Sequence, residues 1–227
     1  MKLQNKNTSE PFFFYYSLLM LLIAIGGFGI NGIVNSDKMP PSSLLLFSHA
    51  SIMFLWYILV IVQTGLIKAN RIVLHKKLGT YSALLASLLV ITGMLTVLNA
   101  YPRDSQGVAL FTYNFLVLIV FSILYSAAIL KRKSPKYHKR LIILATLSTL
   151  HPALFRVSRI FEVEGGPLDL LIWVLLLIVI IVYDVRTLKK VHKSTIMGAI
   201  SIISIIVTTL ILINASAWND LVKSILG

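Results

Sequence analysis

Long apolar runs alternate with short polar segments along the whole chain. Seven such runs follow one another, at residues 12–34, 44–67, 78–98, 108–130, 141–158, 168–185 and 195–218. A helix of about 20 apolar residues crosses the hydrocarbon core of a bilayer and satisfies its own backbone hydrogen bonds there. The sequence therefore predicts an all-α fold, a single domain over residues 1–227 built as an integral membrane bundle of seven transmembrane helices.

The composition agrees with this class of protein. Hydrophobic residues make up 57% of the 227 residues and charged residues 13%, whereas a soluble domain carries about 25% charged residues. So few charged side chains cannot cover a water-exposed surface, which excludes a soluble enzyme and a disordered protein. The chain has no cysteine, which excludes disulfides, iron–sulfur clusters and thiolate zinc sites. Any haem or metal would have to be held by His, Met, Asp or Glu.

The basic residues are distributed unevenly between the two sides of this bundle. Of the 21 Lys and Arg residues, 16 fall at the N-terminus or after the second, fourth and sixth runs. Because basic loops stay in the cytoplasm, we predict a cytoplasmic N-terminus and an external C-terminus. The net charge of +13 then indicates anionic membrane lipids as partners on the cytoplasmic face, and no nucleic acid is needed to explain it.

Three histidines share a local pattern at the cytoplasmic edge. His75, His138 and His192 are each followed by a lysine and each stand just before an outward-running span. Neutral imidazole is a common ligand of haem iron, zinc and copper, and histidines on facing helices can hold a haem from both sides. We expect His75 and His138 to be the main haem ligands. The alternative is that these histidines are interfacial anchors that bind lipid headgroups.

The other two histidines lie deeper, in the outer half of their spans. His49 is in the second run, and His151 is in the fifth, directly before Pro152, which favours a bend in the helix. We predict a weaker outer haem pair, His49 and His151, with Arg156 and Arg159 as partners of the haem propionates. The alternative is that each of these histidines is hydrogen-bonded to a neighbouring helix.

One acidic residue suggests a second kind of site. Asp184 ends the sixth run, close in depth to the cytoplasmic histidines. With His75, His138 and His192 it can form a zinc or copper site that activates water, as in a metal-dependent membrane enzyme. The plainer alternative for Asp184 is a surface ion pair with Arg186 or a lysine.

Several motifs carry a resemblance to one known family. They read W-Y-I-L-V-I-V-Q-T-G-L-I-K-A-N-R-I-V-L-H-K-K-L-G, H-K-R-L-I-I-L-A-T and Y-D-V-R-T-L-K-K-V-H, at residues 56–79, 138–146 and 183–192. From about Pro40 onward the chain resembles a largely uncharacterised family of bacterial seven-span membrane proteins, which implies a bacterial inner-membrane location. The motif histidines of that family fall at His49, His75, His138 and His192.

A more distant resemblance concerns function. The layout of histidines resembles the transmembrane b-type di-haem cytochromes and the assembly factors of haem–copper oxidases. This implies a haem-associated protein in electron transfer or respiratory oxidase assembly, with haem b as cofactor and a respiratory complex or another membrane protein as partner. Two alternatives remain, a zinc- or copper-dependent membrane enzyme, and a non-catalytic or lipid-interacting membrane subunit without cofactor.

Overall fold

A computed structural model of the protein describes residues 11–38, 43–100, 105–163 and 167–226. These ranges form the helices α1 (Phe12–Ile25), α2 (Asn31–Val34), α3 (Leu44–Lys68), α4 (Ile72–Gly79), α5 (Ser82–Ala100), α6 (Ser105–Leu130), α7 (Pro135–Ser148), α8 (His151–Ile160), α9 (Pro167–Leu188), α10 (Lys193–Leu212) and α11 (Ser216–Leu226). A π-helical turn, Gly26–Ile30, joins α1 to α2, and a short 3-10 turn, Ser36–Lys38, follows α2. The predicted all-α fold is confirmed.

Six stretches of helix are long and apolar enough to cross a membrane. They are Phe12–Val34, Leu44–Lys68, Ile72–Asn99, Gln106–Leu130, Pro167–Leu188 and Lys193–Leu212. A seventh span is formed if α7 and α8, which are bent by 46° with respect to each other, are counted as one. The molecule is therefore a bundle of six apolar spans, or of seven with the bent pair.

The third span begins earlier than its predicted start at residue 78. The helix α4 continues into α5 with only a turn at Thr80–Tyr81 between them. As a consequence His75 lies inside a helix, one turn from its start at Ile72. The side chain is thus fixed to a rigid element and does not belong to a loop.

The last predicted run, residues 195–218, is divided in the structure. The span α10 ends at Leu212, and the separate helix α11 follows. In α11 Val222 is buried while Asp220 and Lys223 are exposed, the pattern of an amphipathic helix. Trp218 Nε1 donates a hydrogen bond to Thr112 Oγ1 at 2.8 Å, which holds α11 against the first turns of α6.

The bend between α7 and α8 lies where Pro152 predicts it. Pro152 is the second residue of α8 and has no N–H to donate back across the break. Groups from other helices pair with the polar atoms near the break. Trp173 Nε1 donates to the carbonyl of Leu147 at 2.9 Å, and the hydroxyls of Tyr57 and Thr149 are 3.2 Å apart. The break is therefore held by α3 and α9.

The glycine-rich segment after α1 allows a close approach of two helices. Gly27 lies in the π-helical turn and is buried, and a Cβ atom there would overlap the carbonyl oxygen of Ala153 in α8. Gly26 and Gly29 have open space at the same position. Small residues at helix contacts are the usual device for close packing in membranes, and this one brings α1 onto the bent span.

Candidate functional site

One end of the bundle carries most of the positive charge. We call it the basic end; it comprises the turns after α3, α6 and α9 with the adjoining helix ends. Its basic residues in the described ranges are Lys68, Arg71, Lys76, Lys77, Lys131, Arg132, Lys133, Lys136, Lys139, Arg140, Arg186, Lys189, Lys190 and Lys193. Lys2 and Lys6, assigned to the same side from the sequence, lie outside the described residues.

Contacts between distant segments place these turns together. The rings of Phe12 at the start of α1 and Tyr183 near the end of α9 are stacked with centres 3.9 Å apart. Lys68 at the end of α3 donates to the hydroxyl of Tyr15 at 3.2 Å. Asp184 is the one acidic residue of the basic end within the described chain. The electrostatic field there is therefore strongly positive and favours anionic partners.

The structure brings His75 and His138 together at the basic end. A tight reversal after α3 turns α4 back beside it, with Asn70 in the left-handed region at φ 57°, which asparagine tolerates well. Pro135 is the first residue of α7, and His138 follows it within one turn. The ring centres of the two histidines are 6.3 Å apart and their planes are inclined by 79°.

Each of these imidazoles has a hydrogen-bond partner at Nδ1. His138 Nδ1 lies 2.9 Å from the carbonyl oxygen of Ala128 in α6. A carbonyl only accepts, so in the neutral form of His138 the proton is on Nδ1 and Nε2 keeps its lone pair. This is the arrangement that accompanies histidines bound to a metal through Nε2.

The side-chain amide of Gln63 determines which ring nitrogen of neutral His75 carries the proton. The amide oxygen of Gln63 accepts from Gly79 N–H, and its nitrogen donates to the carbonyl oxygen of His75, both at 3.1 Å. In this orientation the nitrogen also donates to His75 Nδ1. Neutral His75 then carries its proton on Nε2. If the amide turns over, its oxygen accepts from His75 Nδ1–H and Nε2 becomes free, but the two backbone hydrogen bonds are lost. Gln63 was not identified as a site residue from the sequence.

A buried ion pair lies beside this histidine pair. Arg140 is 1% exposed and Asp184 is fully buried. Asp184 Oδ1 accepts from Arg140 Nε at 2.7 Å and also from Nη2, while Oδ2 accepts from the Thr195 hydroxyl at 2.6 Å and from His192 N–H at 2.9 Å. The carboxylate thus joins α7, α9 and α10. A surface pair of Asp184 with Arg186 or a lysine, which the sequence allowed, is not what the structure shows.

His192 caps a helix. Its Nδ1 accepts from Ser194 N–H at 3.2 Å at the start of α10, and its ring lies edge-on to Tyr137 at 4.5 Å. Burial, and next the charge of Arg140, lower the pKa of His192 below its usual value, while Asp184 opposes the shift. The neutral form that can accept the capping bond is therefore favoured.

The predicted four-residue metal site is not assembled as a cluster. In the part of the chain that the structure describes, no three His, Asp or Glu side chains are grouped so that they could hold a metal ion. His75 and His138 face each other, whereas His192 and Asp184 are engaged in the cap and in the ion pair. A metal at all four residues would require these bonds to rearrange, so the two-histidine part of that site is what the geometry favours.

The two outer histidines have different neighbours. His49 Nδ1 lies 3.1 Å from Thr92 Oγ1 in α5. His151 lies beside α6 and α9, with its Nε2 3.0 Å from Asp169 Oδ2. Among the described residues the two histidine rings make no contact with each other. The interhelical hydrogen bond that was the simpler expectation for His49 is observed.

Two arginines, Arg156 and Arg159, lie near the end of the bent span. Arg156 Nη1 donates to the carbonyl of Pro152 at 2.8 Å, and its guanidinium lies 4.2 Å from the centre of the Phe28 ring. Arg159 is in the last turn of α8. Their predicted role as propionate partners of an outer haem stays a prediction.

Comparison with known proteins adds no closer identification. No protein-family model matches the chain, and neither a curated protein nor a solved structure is significantly similar to it. The resemblance drawn from the sequence motifs therefore stays a prediction. The length and apolar character of the described helices show that the protein is a multi-pass helical membrane protein with six spans, or seven with the bent pair.

Proposed function

We propose that the protein binds one b-type haem through His75 and His138 and acts in electron transfer or in respiratory oxidase assembly in a bacterial inner membrane. The observation that carries this proposal is the approach of the two imidazoles from α4 and α7. The basic end would face the cytoplasm, in accordance with the positive-inside rule, and would bind anionic lipids there.

The distance between the rings fits two ligands of one metal centre. Metal–nitrogen bonds of about 2 Å on each side, plus the ring radius of each imidazole, place the ring centres about 6 Å apart. The observed separation is 6.3 Å. Haem supplies one-electron chemistry when it is bound. His138 and His75, the latter with the Gln63 amide turned over so that its Nε2 is free, would hold the iron. The adjacent lysines of the basic end, Lys76, Lys77 and Lys139, would balance the propionate charges.

The same donor set accepts a metal ion without porphyrin, since imidazole also binds zinc and copper. The two possibilities differ in what is bound and not in which residues bind it. A third, in which the histidines only anchor the bundle at the membrane surface, requires no ligand at all. One experiment separates the three.

The test is a reduced-minus-oxidised visible spectrum of detergent-purified protein, expressed with ample haem, with metal analysis of the same sample. We expect α and Soret bands that are lost in His75→Ala and in His138→Ala and retained in the matched control His49→Ala. Bound zinc or copper without these bands, lost in the same two variants, would replace haem by a metal ion. A flat spectrum with no metal would overturn the proposal.

A further inference from the structure

Away from the basic end, the bundle contains a second buried contact between ionisable side chains, those of His151 and Asp169. His151 begins α8, and Asp169 lies in the first turn of α9. His151 Nε2 and Asp169 Oδ2 are 3.0 Å apart. Asp169 is 1% exposed, so its carboxyl group has been removed from water almost completely.

This pair differs from the Arg140–Asp184 pair in how the charge is balanced. Asp184 accepts from Arg140, whose positive charge is permanent. Within the described ranges, no Lys or Arg forms an ion pair with Asp169, and neither of its oxygens accepts a well-oriented hydrogen bond. An isolated buried carboxylate is strongly disfavoured. With no Lys or Arg paired to it in the described chain, Asp169 is best neutralised by a proton, either on itself or on His151.

The ring of Tyr113 packs beside His151. The ring centre of Tyr113 in α6 is 4.9 Å from that of His151, and the buried Tyr113 hydroxyl has no hydrogen-bond partner among the described residues. Trp173 packs on the other side, with ring centres 5.3 Å apart. The rings of Tyr113 and Trp173 thus pack on either side of the His151 imidazole.

Among the described residues, no other charged side chain is paired with His151 or Asp169. The segment Gly26–Val34, which packs against α8, has no titratable residue, and α5 has none either. The charged residues on the elements that surround the pair, away from the basic end, are Asp37, Arg156, Arg159, Glu162, Asp220 and Lys223. None of these forms an ion pair with His151 or Asp169 where the structure describes them.

We propose that His151 and Asp169 form an intramembrane proton-binding site that holds one proton between them. The His151 side chain is 15% exposed, which gives the site an edge towards the surrounding medium. The inference does not depend on the haem proposed at the basic end, since it uses none of its residues. It assigns His151 to proton binding with Asp169 in place of the outer haem predicted from the sequence.

The test counts protons on protein labelled with ¹³C in the aspartate carboxyl groups and ¹⁵N in the histidine rings, reconstituted in lipid. At about pH 8, exposed aspartates are ionised and exposed histidines are neutral. We expect wild type to retain one proton per chain, seen as one aspartic acid carbonyl band in the infrared spectrum or as one imidazolium in the nitrogen NMR spectrum. If wild type shows neither signal, the proposal is overturned and no variant is needed.

Variants assign that proton to the pair. In His151→Gln, Asp169 has to keep the proton itself, so an aspartic acid band is expected at the same pH. The band should vanish when Asp169→Asn is added, and the control Glu162→Gln, a nearby exposed carboxyl group, should leave the wild-type signal unchanged. An ionised Asp169 in folded His151→Gln would show that another group balances its charge and would refute the site.

Discussion

Removing one partner of the buried Arg140–Asp184 pair should cost more stability than any other single polar change at the basic end. Both side chains are at most 1% exposed. In Asp184→Leu the guanidinium of Arg140 stays buried and keeps its bond to the carbonyl of Lys136 at 3.0 Å, but it loses its counter-charge. Breaking a buried pair in this way costs about 3–5 kcal/mol.

Two further groups lose their acceptor in this variant. The Thr195 hydroxyl and His192 N–H both donate to Asp184 Oδ2, and each unmade hydrogen bond adds about 1 kcal/mol. We therefore expect Asp184→Leu to lower the free energy of unfolding by about 5–7 kcal/mol. A loss of this size is a large part of the stability of a typical domain, and the variant should unfold at much lower denaturant.

The assay is unfolding by SDS in mixed micelles, followed by tryptophan fluorescence. The double variant Arg140→Met with Asp184→Leu removes both charges and should recover most of the loss, because no buried charge is left without a partner. Asp220→Asn, on the exposed face of α11, is the control and should change stability by less than about 0.5 kcal/mol. If Asp184→Leu is as stable as this control, the pair does not hold the three helices together and the reasoning fails.

Three further predictions concern single positions. Gly27→Ala should destabilise the bundle by about 1–3 kcal/mol in the same SDS assay, because its Cβ meets backbone, whereas Gly26→Ala, with open space, should be tolerated. Because the pKa of His192 is lowered in the folded protein, unfolding takes up a proton, and stability should fall as the pH drops below about 6.5. His192→Asn can cap the helix but cannot titrate in this range, so it should weaken that fall in thermal scans. If haem is bound, Gln63→Glu should lower its midpoint potential in redox titrations, because the carboxylate accepts from Nδ1–H of His75 and makes that ligand more basic.

Each of these has a result that would contradict it. Equal stability of the Gly27→Ala and Gly26→Ala variants would mean that α1 and α8 do not pack at this contact. An unchanged pH profile in His192→Asn would assign the acid sensitivity to another group. A midpoint potential that does not move in Gln63→Glu, in a sample that still binds haem, would show that Gln63 does not contact the ligating form of His75.

The pairing of charged groups shows where reasoning from the sequence stops. From the sequence, Asp184 was expected in a metal site with the cytoplasmic histidines or, alternatively, in a surface pair with Arg186 or a lysine. Its partner is instead Arg140, 44 residues earlier. The sequence did contain a usable signal, because α7–α8 and α9 are consecutive spans. A basic residue near the start of the first and an acidic residue near the end of the second therefore lie at the same end of the bundle. His151 was similarly grouped with His49, whereas its partner is Asp169 on the next helix.

The histidine pair at the basic end was more accessible to sequence reasoning. His75 and His138 begin helices at the same end of the bundle, and a repeated local motif already suggests equivalent positions. What the sequence could not supply is Gln63, which reaches His75 across the reversal between α3 and α4. A side chain from the preceding helix can be placed only when the angle of the turn is known.

The sequence by itself determined the class of the protein and the asymmetry of its two ends. Both follow from local composition, because a run of about 20 apolar residues has one stable conformation in lipid and because lysine and arginine cluster in alternate turns. It also located the bend, since Pro152 cannot donate a backbone hydrogen bond wherever it stands. These properties do not depend on which helix lies beside which.

Only the tertiary structure decided which buried groups meet. The partner of a residue inside a bundle depends on the rotation and the axial register of two helices, and these are set jointly by many packed side chains such as the contact of Gly27 with α8. The bend of the fifth span and the end of the last span at Leu212 shift these registers further. For that reason the sequence named the ionisable residues, and the fold determined that Asp184 faces a permanent cation while Asp169 faces a histidine.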